Sequence, residues 1–160
     1  MVKYWKKKWK QFLKFQQKKG LSYTQFAYSN LKISSASIVP CQSIIVTATI
    51  TNVGSVVGDE VSQLYISLSN ASVPVSRIKL VDFYRTKNLP PGKSNTFSLF
   101  ISAEQMTVIY EYNWTEQLEP GLFKVFLGGK QPDSDSDPSV LAGEFRLTGS
   151  SVPYSTCETN

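Results

Sequence analysis

The residues best suited to acid–base chemistry are four glutamates that lie between positions 104 and 119. They are Glu104, Glu111, Glu116 and Glu119. Two carboxyl groups can share such work when one of them has a raised pKa and both face a cleft that fits the substrate. The chain has no histidine, so the usual general base at neutral pH is missing. Because loops between β-strands seldom provide such a cleft alone, we predict that none of these residues is catalytic.

A second acidic group lies in the stretch DSDSDPSVLAGE, which begins at Asp133. Asp133, Asp135 and Asp137 fall at positions 1, 3 and 5 of a calcium-binding loop, and Glu144 falls at position 12. Position 6 of such a loop needs a glycine, whereas Pro138 stands there and holds φ at about −65°. We therefore interpret the stretch as a solvated acidic loop and predict no metal ion or other cofactor, with calcium as the alternative.

Cys41 and Cys157 are the two cysteines of the chain. Without histidine they are too few for a structural zinc site, which needs four ligands. A disulfide that ties the C-terminal tail to the second predicted strand is one interpretation. We favour two free thiols, because residues 1–19 do not resemble an export signal.

Two tripeptides match the acceptor pattern for N-glycosylation, and they make Asn70 and Asn113 candidate glycosylation sites. They are Asn70-Ala71-Ser72 and Asn113-Trp114-Thr115. This pattern is typical of exported proteins, whereas lysines interrupt residues 1–19 every few positions, unlike a secretory signal. No apolar run approaches the roughly 20 residues that a membrane span needs. The localisation therefore stays open.

Three aromatic residues alternate along one stretch of the chain, namely Tyr110, Tyr112 and Trp114. If their rings are exposed, they are candidate carbohydrate contacts, because aromatic faces suit the apolar faces of sugar rings. If they are buried, they are ordinary core residues. We favour the core, where large aromatic residues usually lie.

The sequence around these residues predicts a series of short β-strands. Apolar and β-branched residues alternate with polar ones in runs that are separated by Gly, Pro and Asn. The predicted runs are 26–34, 43–53, 59–68, 78–85, 95–101, 107–114, 122–127 and 141–147. In the clearest run, the residues predicted to face inward are Ile44, Val46, Ala48 and Ile50. We predict an all-β fold, an antiparallel immunoglobulin- or fibronectin type III-like sandwich of seven or eight strands.

The basic charge of the chain is concentrated at its N-terminus. Residues 1–19 hold eight of the 17 basic residues and no acid, which leaves nine basic and twelve acidic residues elsewhere. The segment is predicted to be a short basic amphipathic helix or a disordered tail, and its lysines and tryptophans suit an anionic membrane surface. Nucleic acid is the weaker partner hypothesis. We divide the chain into this segment, a β-domain at 20–149 and a tail at 150–160.

Five stretches in order resemble the fibronectin type III-like C-terminal domain of family-three glycoside hydrolases, the β-glucosidase and β-xylosidase family. The stretches are GLSYTQFAYSNLKIS, VTATITNVGSVVGDEVSQLYIS, RIKLVDFYR, LPPGKSNTFSLFIS and EPGLFKVFLGG. In that family the nucleophilic Asp and the acid/base Glu lie in modules that precede this domain. The resemblance therefore implies that the chain is not an enzyme by itself and that its partners are glycoside hydrolase catalytic modules.

These observations lead to three functional hypotheses. The first is a non-catalytic accessory module of a glycoside hydrolase involved in carbohydrate metabolism, present here as a fragment or remnant. The second is a carbohydrate-binding β-sandwich that uses Tyr110, Tyr112 and Trp114. The third is a β-domain held at a membrane surface by residues 1–19.

Overall fold

The computed structural model describes residues 23–157, which contain eleven β-strands and two short 3₁₀ helices. The strands are β1 (Phe26–Ile33), β2 (Ser37–Ile38), β3 (Ile44–Asn52), β4 (Gly58–Ser69), β5 (Lys79–Leu89), β6 (Ser94–Ile101), β7 (Val108–Tyr110), β8 (Thr115–Leu118), β9 (Gly121–Gly128), β10 (Leu141–Leu147) and β11 (Val152–Pro153). The helices are Glu104–Met106 and Tyr154–Thr156. The segment 1–19 lies outside the described residues, so its helix and its membrane partner stay predictions.

The strands form two facing sheets and a smaller third one. One sheet has the order β1-β3-β6, and the other has the order β2-β10-β9-β4-β5. The third sheet has the order β11-β8-β7. All pairings are antiparallel except that of the two-residue β2 with β10. The predicted all-β antiparallel sandwich is therefore confirmed.

The core lies between the inward faces of the two large sheets. Strand β3 alternates strictly, and the four residues predicted to face inward are fully buried. Opposite them, Phe123 of β9 and Phe145 of β10 stack with ring centroids 5.2 Å apart. On the outer face, three hydroxyl pairs join β3 to β6: Thr47–Ser98, Thr49–Thr96 and Thr51–Ser94. Period-two alternation gives β3 one apolar face, and that face is buried because it packs against the facing sheet.

Asn52 is a buried polar residue at the end of β3. Its Oδ1 accepts hydrogen bonds from Thr24 Oγ1 at 2.7 Å and from the Gly54 N–H at 3.0 Å. Its Nδ2 donates to the carbonyls of Val56 and Leu89, each at 2.8 Å. A buried amide costs little when all of its hydrogen-bonding capacity is used. Asn52 thereby links the chain before β1 to the ends of β3 and β5.

The predicted strand at 107–114 is wrong in extent. The run contains β7 and a tight turn at 111–114, and β8 begins only after it, at Thr115. Within the turn, the Asn113 N–H donates to the Tyr110 carbonyl at 3.3 Å, and Trp114 has a φ of 54°. The chain therefore leaves the extended conformation after Tyr110 and resumes it at Thr115. The extra short strands raise the number above the seven or eight that the sequence predicts.

The C-terminal tail returns to the domain and is tied there by a disulfide. Strand β11 pairs with β8, and Cys157 then reaches Cys41, with the two Cα atoms 5.2 Å apart. The preference for two free thiols is therefore wrong. Sequence pattern could not reveal the pairing, because β11 has two residues and the cysteines lie 116 positions apart.

The part of the chain that the structure describes, residues 23–157, has no helix with the length and apolar character of a membrane span.

Candidate functional site

The aromatic turn, residues 111–114 between β7 and β8, is held by local hydrogen bonds. The Oδ1 atom of Asn113 accepts from the Thr115 N–H at 3.3 Å and from Thr115 Oγ1 at 2.8 Å. An asparagine that bonds the backbone two residues ahead mimics a backbone turn and stabilises it. The turn therefore reverses the chain abruptly and projects the side chains on either side of Asn113 outward.

Two of the three alternating aromatic residues lie in solvent. The exposed fraction is 81% for Tyr112 and 79% for Trp114, whereas Tyr110 is half-buried. The expectation that these residues belong to the core is therefore wrong for Tyr112 and Trp114. The reason is the turn, which ends the alternation at Tyr110. The Tyr110 and Tyr112 rings still meet edge to face, with centroids 5.6 Å apart.

A buried carboxylate fixes the base of the aromatic turn. Both the Tyr110 hydroxyl and Ser72 Oγ donate to Glu119 Oε1, and the Ser72 N–H donates to Oε2 at 3.0 Å. Burial of the Glu119 carboxyl opposes ionisation, but these donors outweigh it together, so the pKa of Glu119 lies below its usual value. The same carboxylate raises the pKa of Tyr110. The cluster binds segment 70–78, which joins β4 to β5, to the aromatic turn.

A cleft of about 440 Å³ opens beside the aromatic turn. Its floor is formed by apolar side chains from the inward faces of β4 and β9, namely Ile66, Leu68 and Phe123. Its walls come from segment 70–78, the start of β5, the first 3₁₀ helix, β7 and the turn. The wall residues are Pro74, Val75, Ser76, Lys79, Gln105, Met106, Thr107, Val108, Ile109, Glu111 and Trp114. We call this the Trp114 cleft.

The chemistry of the Trp114 cleft suits binding better than catalysis. It combines an exposed indole and an apolar floor with a few polar groups, a composition common in small-molecule sites. Among the residues that line it, Glu111 is the single carboxylate. Glu104 lies in the 3₁₀ helix and Glu116 on β8, and neither lines the cleft. Glu119 is held by its three donors, and its lowered pKa is opposite to what a catalytic acid needs.

The acidic loop uses its aspartates to bind cationic side chains. Lys130 lies 2.6 Å from Asp133 and 2.9 Å from Asp137, and Lys124 lies 2.6 Å from Asp135. Backbone N–H donation from Asp133, followed by the bonds from Ser139 and Lys130, holds the pKa of Asp137 well below its usual range. Within residues 23–157, no group of three or more Asp, Glu, Cys or His side chains could hold a metal ion. The geometry therefore gives no support to the calcium alternative.

A second, more polar cleft lies at the opposite end of β4, and it was not predicted from the sequence. It has a volume of about 1030 Å³ and contains Tyr28, Glu60, Arg85 and Lys130. The Tyr28 hydroxyl donates to Glu60 Oε1 at 3.2 Å, and burial raises the pKa of both groups. Tyr28 and Glu60 are 32 positions apart on different sheets, so only the alternation of β1 and β4 could have suggested that their side chains meet.

Comparisons with known proteins identify the kind of domain. Residues 60–131 match the fibronectin type III-like domain. A β-xylosidase of Formosa agariphila is 31% identical over 116 residues, which cover 72% of this chain and 16% of that protein. A β-glucosidase of Bacteroides ovatus is 34% identical over 116 residues, which cover 71% of this chain and 15% of that protein.

Comparison with solved structures also finds a β-glucosidase. The structure of β-glucosidase 3B from Thermotoga neapolitana in complex with α-D-glucose superposes with a TM-score of 0.69 at 29% identity. The match covers 84% of this chain and 17% of that structure. The chain thus spans about a sixth of the length of the proteins that it matches. The resemblance stated from the sequence is confirmed: residues 60–131 match the fibronectin type III-like domain, and the chain is related to family-three β-glucosidases and β-xylosidases over a small part of their length.

Proposed function

We propose that this chain is a non-catalytic accessory module of a β-glucosidase- or β-xylosidase-like glycoside hydrolase and serves carbohydrate metabolism as part of a larger enzyme. The observation that carries the proposal is the pattern of coverage. The match takes in over two thirds of this chain but only 15–16% of the relatives. Its partners would be the catalytic modules that make up the rest of such an enzyme.

The Trp114 cleft supports a non-catalytic role. Hydrolysis of a glycosidic bond generally needs two carboxyl groups on opposite sides of the scissile bond, about 5–9.5 Å apart. Glu111 has no second carboxylate beside it in the lining of this cleft. We expect the purified chain to release no nitrophenol from nitrophenyl β-glucoside or β-xyloside. Turnover that copurifies with the chain and is lost in Glu111→Gln would overturn the non-catalytic role.

A chimeric enzyme tests the accessory role. In the β-glucosidase of Bacteroides ovatus, the segment that matches this chain is either deleted or replaced by residues 23–157. We expect the replacement to raise the melting temperature and the retained activity above those of the deletion. The same chimera with Ile50→Ala is the control, because a damaged core should cancel the gain. A chimera no better than the deletion would contradict the proposal.

A second candidate function, carbohydrate binding, is favoured by the exposure of Tyr112 and Trp114. An exposed indole beside an apolar floor can stack on one face of a sugar, and nearby polar groups can bond its hydroxyls. Lys79 and Glu111 supply such groups in the Trp114 cleft, whereas both side-chain polar atoms of Gln105 are already bonded, to Ser102 and Val81. Tyr110 would act indirectly, because its hydroxyl is engaged by Glu119.

Binding is tested by titrating the chain with cellobiose and xylobiose while backbone amide shifts are followed by NMR, and by retention on insoluble cellulose and xylan. We expect shifts at residues of the Trp114 cleft and their loss in Trp114→Ala. The matched control is Tyr23→Ala, which removes an aromatic side chain that is 95% exposed outside the cleft. Equal effects of the two variants would show nonspecific adhesion and end this hypothesis.

A further inference from the structure

We propose that Asn113 is the acceptor of an N-linked glycan and that it is modified in preference to Asn70. Both residues begin an Asn-X-Ser/Thr tripeptide and both are exposed. The difference lies in how the third residue of each tripeptide is used. An acceptor tripeptide has to be reachable together with its hydroxyl, so these contacts decide which site is presented.

The tripeptide at Asn113 is presented by contacts that are local in the chain. The Thr115 hydroxyl bonds the Asn113 side chain itself, and the turn is closed by Tyr110. Within residues 23–157, the Nδ2 of Asn113 donates no hydrogen bond, so the nitrogen that would carry the sugar points to no competing acceptor. Residues 110–115 supply these contacts, and Gln117 Nε2 adds a bond of 3.3 Å to the Thr115 hydroxyl. The tripeptide is therefore held within the β7–β8 hairpin, whose base the Glu119 cluster fixes.

The tripeptide at Asn70 is held by contacts that are distant in the chain. Both the hydroxyl and the N–H of Ser72 bond the buried Glu119, which is 47 positions away. The Ser72 hydroxyl also lies 2.8 Å from that of Tyr110. Folding therefore engages the hydroxyl of the exposed Ser72 in a charge-assisted cluster, and a transferase would have to break that cluster to use it.

The disulfide is an independent observation that fits this modification. Disulfides form and persist in oxidising compartments such as the endoplasmic reticulum, which is where N-linked glycans are attached. Cys41 and Cys157 are joined in this structure, and residues 23–157 contain no other cysteine. A chain that forms this disulfide in the endoplasmic reticulum is exposed to the oligosaccharyl transferase in the same compartment.

The modification is a group transfer without any redox change. The Nδ2 of Asn113 forms a bond to the anomeric carbon of the donor, a polyprenyl-diphosphate-linked oligosaccharide. The bond from that carbon to the diphosphate oxygen breaks, and the polyprenyl diphosphate leaves with the electron pair. Nδ2 loses one proton to a base of the transferase. The product is a glycan at the tip of the aromatic turn, between Tyr112 and Trp114.

The test is secretion of the full chain from eukaryotic cells behind a cleavable export signal, followed by mass spectrometry. Treatment with peptide N-glycosidase in ¹⁸O water converts a glycosylated asparagine into ¹⁸O-labelled aspartate, so both sites are scored in the wild-type chain. We expect the label at Asn113, with higher occupancy than at Asn70. Thr115→Ser should keep the glycan, Thr115→Ala and Asn113→Gln should lose it, and Asn70→Gln should leave it in place.

The label in the wild-type chain decides the matter even if a variant fails to fold. Absence of label at Asn113 in the secreted protein would overturn the proposal. Occupancy at Asn70 equal to or above that at Asn113 would overturn the preference argued from Ser72. Persistence of the Asn113 glycan in Thr115→Ala would show that the tripeptide is not what directs the modification.

Discussion

Strand β3 and the aromatic turn carry the same kind of sequence pattern, yet their large side chains end in opposite environments. In β3, Ile44 and Ile50 are fully buried, whereas Tyr112 and Trp114 of the turn are about four-fifths exposed. Strand β3 lies between β1 and β6, so its side chains have fixed inner and outer faces. The turn has no strand on either side. Alternation therefore predicts burial only where neighbouring strands continue the sheet.

Truncation of the strand core should give the largest effect. Ile50→Ala removes a fully buried side chain of β3 and should lower the free energy of unfolding by about 2–5 kcal/mol, through lost burial and a residual cavity. Urea denaturation measures the change. Thr49→Ala, on the outer face of the same strand, is the control and should cost about 1 kcal/mol or less. Equal losses would mean that the two faces of β3 are not energetically different.

Removal of the disulfide should weaken the connection between β3 and the hairpin that carries the aromatic turn. Cys41 precedes β3, and Cys157 follows the strand that pairs with β8. The double change Cys41→Ser and Cys157→Ser should lower the free energy of unfolding by about 2–5 kcal/mol, because the unfolded chain gains freedom. Comparison of the oxidised wild-type chain with this variant in urea measures it. A variant as stable as the oxidised chain would show that β11 and its contacts hold the tail unaided.

Removal of the buried Asn52 amide at the end of β3 should give the next largest loss of stability. Asn52→Ala leaves the Val56 and Leu89 carbonyls without the amide that they share, and each such loss costs about 1–3 kcal/mol when the group stays buried. Hydrogen exchange of the Gly54 amide should accelerate together with the loss of stability. Asn95→Ala is the matched control, because the Asn95 side chain makes one long bond of 3.4 Å to Thr86. A smaller loss for Asn52 than for Asn95 would contradict this assignment.

The base of the aromatic turn should respond to acid before the strand core does. The folded pKa of Glu119 lies below its unfolded value, so its stabilising contribution is present above the unfolded pKa and fades as the pH falls towards the folded one. The NMR signals of Tyr110 and Ser72 should therefore shift on acidification while those of β3 stay unchanged. In Glu119→Gln this pH dependence should disappear. Acid shifts that persist in Glu119→Gln would assign the effect to another carboxyl.

The tip of the turn should contribute least to stability. Trp114→Ala removes a side chain that is 79% exposed, and the free energy of unfolding should change by less than about 0.5 kcal/mol. Urea denaturation beside Ile50→Ala gives a direct comparison. A loss above 1 kcal/mol would mean that the indole packs on the Trp114 cleft more firmly than its exposure indicates.

The β-sandwich class and the inner face of β3 could be predicted from the sequence alone, because period-two patterning and local turn residues are carried by any short segment whatever its neighbours are. The resemblance to a glycoside hydrolase domain rested instead on five matching stretches in order. Three features could be seen only in the folded structure: Trp114 is exposed, the Glu119 carboxylate is hydrogen-bonded by Ser72 and Tyr110, and Cys41 forms a disulfide with Cys157. Each of these depends on partners brought together by the whole fold or on one positive φ, and neither leaves a periodic signal in the chain.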